Sequence, residues 1–192
     1  MSNKQIRFDS LCVKEYKDNR STTPHQLPIY ATSSFNFEDM EEGIDIFTGK
    51  KSGHAYGRYG NPTIDTVSQK LADMEAFGTG LDAYGFLTSS GMSAISTVLI
   101  SLLKNGDAIL TQNDLYGGTT EMLLKVIANS GIKSIFADLT DLDAVESILQ
   151  QNRTIKMLYF ETPANPTMRC IDIKAMVRLA KKYGVTTCVD NT

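Results

Sequence analysis

Several side chains that could bind a charged or aromatic ligand follow directly after predicted strands of this sequence. They are the serine–glycine turn in "SSGMSAI" (89–95), Tyr116 in "NDLYGGT", Glu161 and Asn165 in "ETPANP", and Asp190 in "VDNT". Ligands of an open α/β sheet bind at the carboxyl ends of its strands, so we expect these groups to share one edge of a sheet. A helix N-terminus, a phenol, an amide and a carboxylate would then line one site.

Each of these features also has an ordinary structural explanation when it is taken alone. The serines before Gly91 would serve equally as a helix cap, since serine is a favoured N-cap residue. Tyr116 beside two glycines is typical of a half-buried surface tyrosine, and the prolines around Asn165 are typical of a rigid turn. Asp190 would also serve as an N-cap. The functional interpretation therefore rests on the joint placement of these residues and on no single one of them.

The chemistry of this edge suits one kind of ligand. Free amides at a helix N-terminus bind phosphate, a flat phenol stacks on a flat ring, and a carboxylate pairs with a protonated ring nitrogen. Together these groups describe a phosphorylated heteroaromatic cation. Pyridoxal 5′-phosphate (PLP) is the ordinary cofactor of that shape, and an acid partner for its pyridinium nitrogen is a known requirement. The predicted cofactor is therefore PLP, with Asp190 keeping the ring nitrogen protonated.

An alternation of predicted strands and helices, which begins near Asn61, must position these groups. Residues 1–60 are rich in Ser, Thr, Gly, Tyr and Pro and show no sustained period, which predicts an arm or extended segment. Residues 61–192 predict strand–helix–strand units, which indicate an α/β domain with a mostly parallel sheet and helices on both faces. Because the last predicted strand has no helix after it, we expect the α/β domain to be incomplete.

The predicted elements alternate regularly through this second region. The strands are "AYGFLTS" (83–89), "DAILTQ" (107–112), "IKSIFAD" (132–138), "TIKMLYFE" (154–161) and "VTTCVD" (185–190). Helices are predicted to begin at Pro62, at Gly91, at Gly117 and after the N-caps Thr140 and Asp172. The helix that begins at Gly91 is apolar nearly all round, which predicts that it is buried.

The bulk composition excludes several classes of protein. The 192 residues carry a net charge of −3, and 21% of them are charged, so nothing supports binding to nucleic acid or to an anionic membrane. The apolar runs are too short to span a membrane, and the first residues lack the apolar core of a signal peptide, which predicts a cytoplasmic protein. Three separated cysteines and two histidines form no metal-binding pattern, so no metal is expected.

Five motifs together give the sequence a specific resemblance to a known family. They are "YGRYGNPT" (56–63), "SSGMSAI" (89–95), "YGGT" (116–119), "ETPANP" (161–166) and "VDNT" (189–192). In this order they resemble the Cys/Met-metabolism branch of fold-type-I PLP enzymes, which includes cystathionine γ-synthases, cystathionine γ-lyases, methionine γ-lyases and homoserine-ester sulfhydrylases. The resemblance implies the large domain of a fold-type-I transferase, in a homotetramer whose sites are shared between paired subunits.

The resemblance implies a phosphate-binding role for two groups of residues. Backbone amides around Ser90, Gly91 and Met92 would bind the phosphate of PLP at the start of a helix. Tyr56 and Arg58 would reach the phosphate in a neighbouring subunit, which gives the irregular arm a function, since arginine binds phosphate with two parallel hydrogen bonds.

The resemblance also implies roles around the pyridine ring. Tyr116 would stack on the ring and assist proton transfer, Asn165 would hydrogen-bond the phenolic oxygen, and Asp190 would pair with the ring nitrogen. Tyr116 and Asp190 are therefore the catalytic candidates. Glu161 is expected at most to shape its loop, and Asp114, beside Tyr116, is expected to have no cofactor role.

The main departure from the family pattern lies beyond Asp190. Family chains continue to a Ser-x-Thr-Lys segment, whose lysine holds PLP covalently, and to a C-terminal domain with an arginine for the substrate carboxylate. This sequence ends at Thr192, before either of these features. We therefore expect the N-terminal portion of an enzyme, and we expect the 192-residue chain alone to be inactive.

The implied activity belongs to cysteine and methionine metabolism and to amino-acid biosynthesis. A trans-sulfuration lyase or transferase of this type would catalyse γ-elimination or γ-replacement on sulfur amino acids or homoserine esters. Methionine γ-lyases often carry cysteine where this chain has Gly118, which favours the cystathionine γ-synthase, cystathionine γ-lyase or sulfhydrylase types. The alternatives are a methionine γ-lyase, another fold-type-I enzyme such as an aminotransferase, and a non-catalytic half-protein. The expected partner is a small amino-acid substrate, with no nucleic acid and no membrane.

Overall fold

The computed structural model of the protein describes residues 25–192, so residues 1–24 of the predicted arm lie outside the described part. The chain divides into two compact units between Gly85 and Phe86. We call residues 25–85 the first unit and residues 86–192 the second unit. The functional boundary predicted at residue 60 stays a prediction, and the compact units divide further along the chain.

The first unit contains two helices within largely irregular structure. Helix α1 spans Met40–Phe47 and helix α2 spans Pro62–Ala76. Asp39 caps α1 and Asn61 caps α2, and in each case a side-chain oxygen accepts a hydrogen bond from the first turn. The prediction of α2 is confirmed. Helix α1 departs from the predicted extended arm, because a helix of two turns is too short to show a sustained period against the mixed composition of its surroundings.

The second unit is built on a sheet of four parallel strands. Strand β1 spans Ala108–Gln112, β2 spans Lys133–Ala137, β3 spans Ile155–Glu161 and β4 spans Thr186–Asp190. Their order in the sheet is β2-β1-β3-β4, and every pair of neighbours is parallel. The predicted parallel sheet is therefore confirmed, and each of these strands falls within the apolar run that predicted it.

The helices of the second unit connect these strands. They are α3 (Gly91–Leu102), α4 (Gly117–Met122, continued by a π-helical turn at Leu123–Ile127 and a 3₁₀ turn at Ala128–Ser130), α5 (Leu142–Gln151) and α6 (Ile173–Tyr183). Asp172 caps α6, as predicted. The predicted cap of α5 is wrong by one residue, because the Thr140 hydroxyl donates to Asp138 and Asp141 accepts the bond from the Ala144 N–H.

Helices pack on both faces of the sheet, as the alternation of buried side chains along the strands requires. On one face, Leu158 and Phe160 of β3 pack with side chains from α5 and α6. On the other face, Met157 and Tyr159 pack with side chains from α3 and α4. The two cores hold the carboxyl ends of β1 and β3 in a fixed relation.

Two further predictions are corrected. The stretch 83–89 forms no strand, and its part within the first unit lies against helix α2, where a Cβ at Gly85 would be 2.1 Å from the Ser68 carbonyl oxygen. Helix α3 is not buried on all sides, because Leu99 is fully buried while Ile100 and Leu102 are more than half exposed. An all-round apolar pattern therefore did not distinguish the packed face of this helix from its open face.

No helix within residues 25–192 is both long enough and apolar enough to cross a membrane. Over the same residues, no three or more His, Cys, Asp or Glu side chains are grouped so that they could hold a metal ion. Cys170 and Cys188 are free thiols.

Candidate active site

A cleft lies where the order of the strands changes direction. From β1 the chain crosses to β2 on one side and then to β3 on the other side of β1. Open α/β sheets bind ligands in the crevice at such a switch point. The cleft has a volume of about 280 Å³ and is lined by Gly91, Met92, Ile95, Tyr116, Glu161, Pro163, Asn165, Asp190 and Thr192. Among the described residues, no lysine lines it.

The N-terminus of helix α3 borders this cleft. The Ser90 hydroxyl oxygen accepts a hydrogen bond from the Ser93 N–H at 3.1 Å, which makes Ser90 the N-cap. The N–H groups of Gly91 and Met92 receive no acceptor from the described residues, and a Cβ on Gly91 would meet nothing within 4 Å. Free amides at the positive end of a helix, beside open space, suit an anion. The cap interpretation and the anion interpretation of this turn are therefore compatible.

Tyr116 precedes helix α4, and its ring lies against Gly118. A Cβ at position 118 would lie 2.6 Å from the Cε1 atom of the Tyr116 ring and 3.4 Å from the Met92 sulfur. The Tyr116 ring therefore occupies space that any side chain at position 118 would fill, and only glycine leaves that space free. A Cβ at Gly117 would meet nothing within 4 Å, so a side chain has room at position 117 but not at position 118.

Glu161, the last residue of β3, is a buried acid at the floor of the cleft. It is 5% exposed, and both of its carboxylate oxygens accept from the Tyr116 N–H at 2.9 Å. Its own N–H donates to the Gln112 side-chain oxygen at 3.0 Å. Burial raises the pKa of Glu161 above its ordinary 4.5, the Tyr116 N–H opposes this shift, and the Asp190 charge adds to it.

Asp190 ends strand β4 and lies beside Glu161 in the register of the sheet. Its Oδ2 accepts from the Tyr159 hydroxyl at 3.3 Å, and its Oδ1 accepts from the N–H and the hydroxyl of Thr192 at 3.1 and 2.7 Å. Burial, and then the Asp190 charge, raise the pKa of Tyr159 well above its ordinary value, so this phenol stays protonated and donates. The contact with Thr192 resembles a cap, while the carboxylate itself lines the cleft.

The loop that carries Asn165 is tied to the loop that carries Tyr116. Asp114, in the second of these loops, accepts from the Thr167 hydroxyl at 2.6 Å and lies 3.6 Å from the Arg169 guanidinium. The other oxygen of Asp114 is buried without a partner among the described residues. Asp114 therefore links two site loops, although the family resemblance gave it no role.

Tyr56 and Arg58 lie in the first unit. Tyr56 pairs with Ser34 in an isolated antiparallel bridge. The Arg58 guanidinium lies 4.8 Å from the centre of the Tyr59 ring and donates to the Tyr59 hydroxyl at 3.2 Å. Within residues 25–192, no carboxylate forms an ion pair with Arg58.

The structure brings Gly91, Met92, Tyr116, Asn165 and Asp190 around one cleft, and their roles there stay predictions. Sequence reasoning missed Tyr159 and Gln112, and the expectation that Glu161 shapes its loop stays a prediction. Tyr159 and Glu161 stand two residues apart on β3 and therefore point to the same face. That spacing would have placed the Tyr159 hydroxyl beside the predicted acids.

Comparisons with known proteins show which family the chain resembles. Residues 9–192 match the model of a family described as Cys/Met metabolism PLP-dependent enzyme. The chain is 38% identical over 165 residues to an L-methionine gamma-lyase of Pseudomonas putida, which covers 86% of this chain and 40% of that relative. It is 38% identical over 177 residues to the cystathionine beta-lyase MetC of Bacillus subtilis, which covers 92% of this chain and 41% of that relative.

A solved structure gives the same result for the fold. A protein of Campylobacter jejuni described as an O-acetylhomoserine (thiol)-lyase, which contains a pyridoxyl-lysine monophosphate, superposes with a TM-score of 0.76 at 33% identity. The match covers 86% of this chain and 39% of that one, so the chain spans about two fifths of the length of the proteins it matches. Since the family model covers all but the first eight residues, the chain belongs to the Cys/Met-metabolism family of PLP-dependent enzymes and has their fold-type-I architecture.

Proposed function

We propose that the protein is a PLP-dependent trans-sulfuration enzyme and that this chain supplies most of its cofactor site. One observation carries the proposal: Gly91, Met92, Tyr116, Asn165 and Asp190 meet around a single cleft at the switch point of the sheet. The finer proposal is elimination or replacement of the γ-substituent of a sulfur amino acid or a homoserine ester. It is supported by relatives whose names specify methionine and O-acetylhomoserine.

The groups around the cleft fit a phosphorylated, cationic ring. The free amides of α3 and the space beside Gly91 suit a phosphate. Glu161 and Asp190 place two carboxylates side by side, and no lysine or arginine is among the residues that line the described cleft. Neighbouring like charges favour a cation between or beside them. A protonated pyridine nitrogen would satisfy this requirement.

PLP, when bound, would supply an electron-accepting ring that stabilises negative charge on the substrate. The residues of this chain would bind the cofactor and orient its ring. The N-terminus of α3 would fix the phosphate, Asp190 would hold a proton on the ring nitrogen, and Asn165 would donate to the phenolic oxygen. The Tyr116 ring would exclude water from one face, and its exposed hydroxyl would move a proton between substrate atoms.

The substrate class is proposed broadly. Gly118 favours types other than methionine γ-lyase, and this stays a prediction, because a methionine gamma-lyase is among the relatives at 38% identity. A cystathionine beta-lyase is equally similar, so removal of a β-substituent is a second candidate for the reaction. We propose methionine, cystathionine and O-acetylhomoserine as the three substrates to be compared directly.

We also propose that the complete site is shared between subunits of a homodimer and that two dimers form a tetramer. The support lies in the first unit, where Tyr56 and Arg58 belong to a segment without a hydrophobic core and where Arg58 has no carboxylate partner among the described residues. The free thiols of Cys170 and Cys188 suit a reducing compartment, which supports the proposal of a cytoplasmic enzyme.

Cofactor titration followed by a turnover assay tests the proposal. The intact protein is expected to bind PLP saturably, observed by its visible absorbance, and to release a thiol or a 2-oxo acid from one of the three substrates. Residues 1–192 alone are expected to bind PLP without a covalent bond and without turnover, which borohydride reduction and peptide mass mapping check. Absence of saturable binding to the intact protein contradicts the cofactor assignment, and binding without turnover contradicts the substrate class.

A further inference from the structure

The buried carboxylate of Glu161 joins the two loops that carry the ring and amide side chains of the candidate site. Both carboxylate oxygens lie 2.9 Å from the Tyr116 nitrogen, in the loop after β1. Glu161 is itself the last residue of β3, and the loop that carries Asn165 begins directly after it. One side chain therefore holds the main chain at Tyr116 to the strand end from which the Asn165 loop starts.

Packing alone gives no reason for an acid at this position. Glu161 is 5% exposed and lies beside the acid Asp190 in the register of the sheet, and the charges of Asp190 and Asp114 both act to raise its pKa. Burying a charge beside like charges destabilises a fold unless hydrogen bonds compensate for the lost water. The compensating donor here is the main-chain N–H of Tyr116, which reaches both carboxylate oxygens.

The main chain at Tyr116 also depends on this contact for its orientation. Tyr116 stands before the first residue of α4, and its side chain makes no capping hydrogen bond. Its N–H bond to Glu161 and the space above Gly118 both constrain where the ring points. A shift of the N–H would move the ring relative to the Asn165 amide.

We infer that Glu161 is a positioning residue, which clamps the Tyr116 main chain to the end of β3, in the placement that a ring bound between Tyr116 and the Asn165 loop requires. The identity of that ring rests on the proposed function, whereas the clamp is a property of this chain. Glu161 acts on the site through the main chain of Tyr116, in addition to the negative charge that it contributes beside Asp190.

Three variants of the intact protein test this inference. Glu161→Ala removes both acceptors. Glu161→Gln keeps one carbonyl oxygen but turns an NH₂ group towards a backbone N–H. Glu121→Gln is the matched control, because Glu121 lies on α4 in an exposed ion pair with Lys125.

The first measurement is hydrogen exchange at the Tyr116 amide without PLP. Hydrogen bonds to charged groups contribute enough that their loss is expected to speed exchange by about 10-fold or more in Glu161→Ala and by less in Glu161→Gln. The Glu121→Gln control is expected to match the wild type.

The second measurement is the affinity for PLP together with the circular dichroism of the bound cofactor, which reports the orientation of its ring. We expect affinity to fall by about 10- to 100-fold in Glu161→Ala, with an intermediate loss in Glu161→Gln and an altered dichroism band in both variants. The melting temperature of Glu161→Gln is expected to stay at or above the wild-type value, because a buried charge is removed.

The outcomes separate the clamp from the proposed function. Unchanged exchange at the Tyr116 amide in Glu161→Ala overturns the clamp, whatever happens to PLP. Faster exchange with unchanged affinity and unchanged dichroism overturns the positioning role. If the wild type binds no PLP, the proposed function fails and the exchange result still decides the clamp. If Glu161→Ala does not fold, the same comparisons are made in Glu161→Gln.

Discussion

The two units of this chain differ in how far their apolar side chains are buried. In the second unit, strands β1 and β3 are covered on both faces, and Leu158 and Phe160 are completely buried. In the first unit, Ala72 is the one hydrophobic residue among residues 25–85 that is fully buried. The evenly spaced side chains of α2, which predicted that helix, are between 42% and 64% exposed: Ile64, Val67, Leu71 and Met74.

A periodic apolar pattern is often taken to predict both that a helix forms and that its apolar face is buried, and this difference separates the two. The pattern identified α2 correctly, but it did not show what covers the apolar face of the helix. The second unit builds the core that fixes Tyr116, Asn165 and Asp190 in place. The first unit has no such core, and its Arg58 is proposed to serve a neighbouring subunit.

The largest expected effect concerns the charge of Asp190 in the second unit. Asp190→Asn in the intact enzyme is expected to lower kcat by about 10²–10³-fold, roughly 3–4 kcal/mol, because one preorganised charge is lost. Turnover, PLP affinity and far-ultraviolet circular dichroism are measured together, and the fold is expected to be retained.

Asp172→Asn is the matched control for Asp190→Asn, because Asp172 only caps α6 and asparagine caps about as well as aspartate. If both variants keep near-normal kcat, Asp190 is only a cap and its charge has no catalytic role. Asp114→Asn is a poor control, since Asp114 ties two site loops together.

The stability of the two units is compared by two equivalent truncations in the 192-residue chain. Leu158→Ala in β3 is expected to lower the free energy of unfolding by about 2–5 kcal/mol, because it leaves a cavity in a closed core. Leu71→Ala on the exposed face of α2 is expected to change it by less than about 0.5 kcal/mol. Urea unfolding measures both, and equal losses would show that α2 has a core after all.

The glycines after Tyr116 test how finely the second unit is packed. Gly118→Ala places a Cβ 2.6 Å from the Tyr116 ring, so we expect a loss of about 1–3 kcal/mol in stability together with weaker PLP binding. Gly117→Ala is the control, because its Cβ meets open space. Thermal melts and PLP titration measure both variants, and similar behaviour of the two would show that the ring is not confined.

Subunit mixing tests whether the first unit serves a partner. Arg58→Ala subunits and Asp190→Asn subunits are each expected to be nearly inactive. If sites are shared across a two-fold dimer, equal mixing leaves about a quarter of the sites intact, and activity is expected to return to about that fraction. Mixed dimers verified by mass that regain no activity contradict the exchange of Arg58 between subunits.

The smallest expected effect is the pH dependence of stability caused by Glu161. Because its pKa is raised in the folded state above 4.5, the folded chain takes up a proton there before the unfolded chain does. Its contribution to stability therefore increases as the pH falls through the folded-state pKa towards 4.5, and it is lower at neutral pH. The difference between wild type and Glu161→Gln isolates this group from Asp190, Asp114 and Tyr159 nearby. A pH-independent difference contradicts the assignment.

The sequence predicted the sheet well, because each of the four strands is an apolar run bounded by turn residues. It also predicted which residues collect at one edge, since Tyr116, Asn165 and Asp190 each follow a strand end. It could not predict the Glu161–Tyr116 contact, which joins positions 45 residues apart through the register of β1 and β3. The stretch 83–89 was misassigned because strand-like composition does not reveal whether a neighbouring strand exists.

Strand β4, which carries Asp190, is an edge of the described sheet. It pairs with β3 on one side, and its last carbonyl accepts from the Thr162 N–H at 3.1 Å. Among residues 25–192 no strand pairs with its opposite side, and the main-chain groups of such an edge are a template for pairing with another chain. Preparations of residues 1–192 are therefore expected to show concentration-dependent self-association. The strand that carries the candidate catalytic residue Asp190 would then also limit how concentrated these preparations can be made.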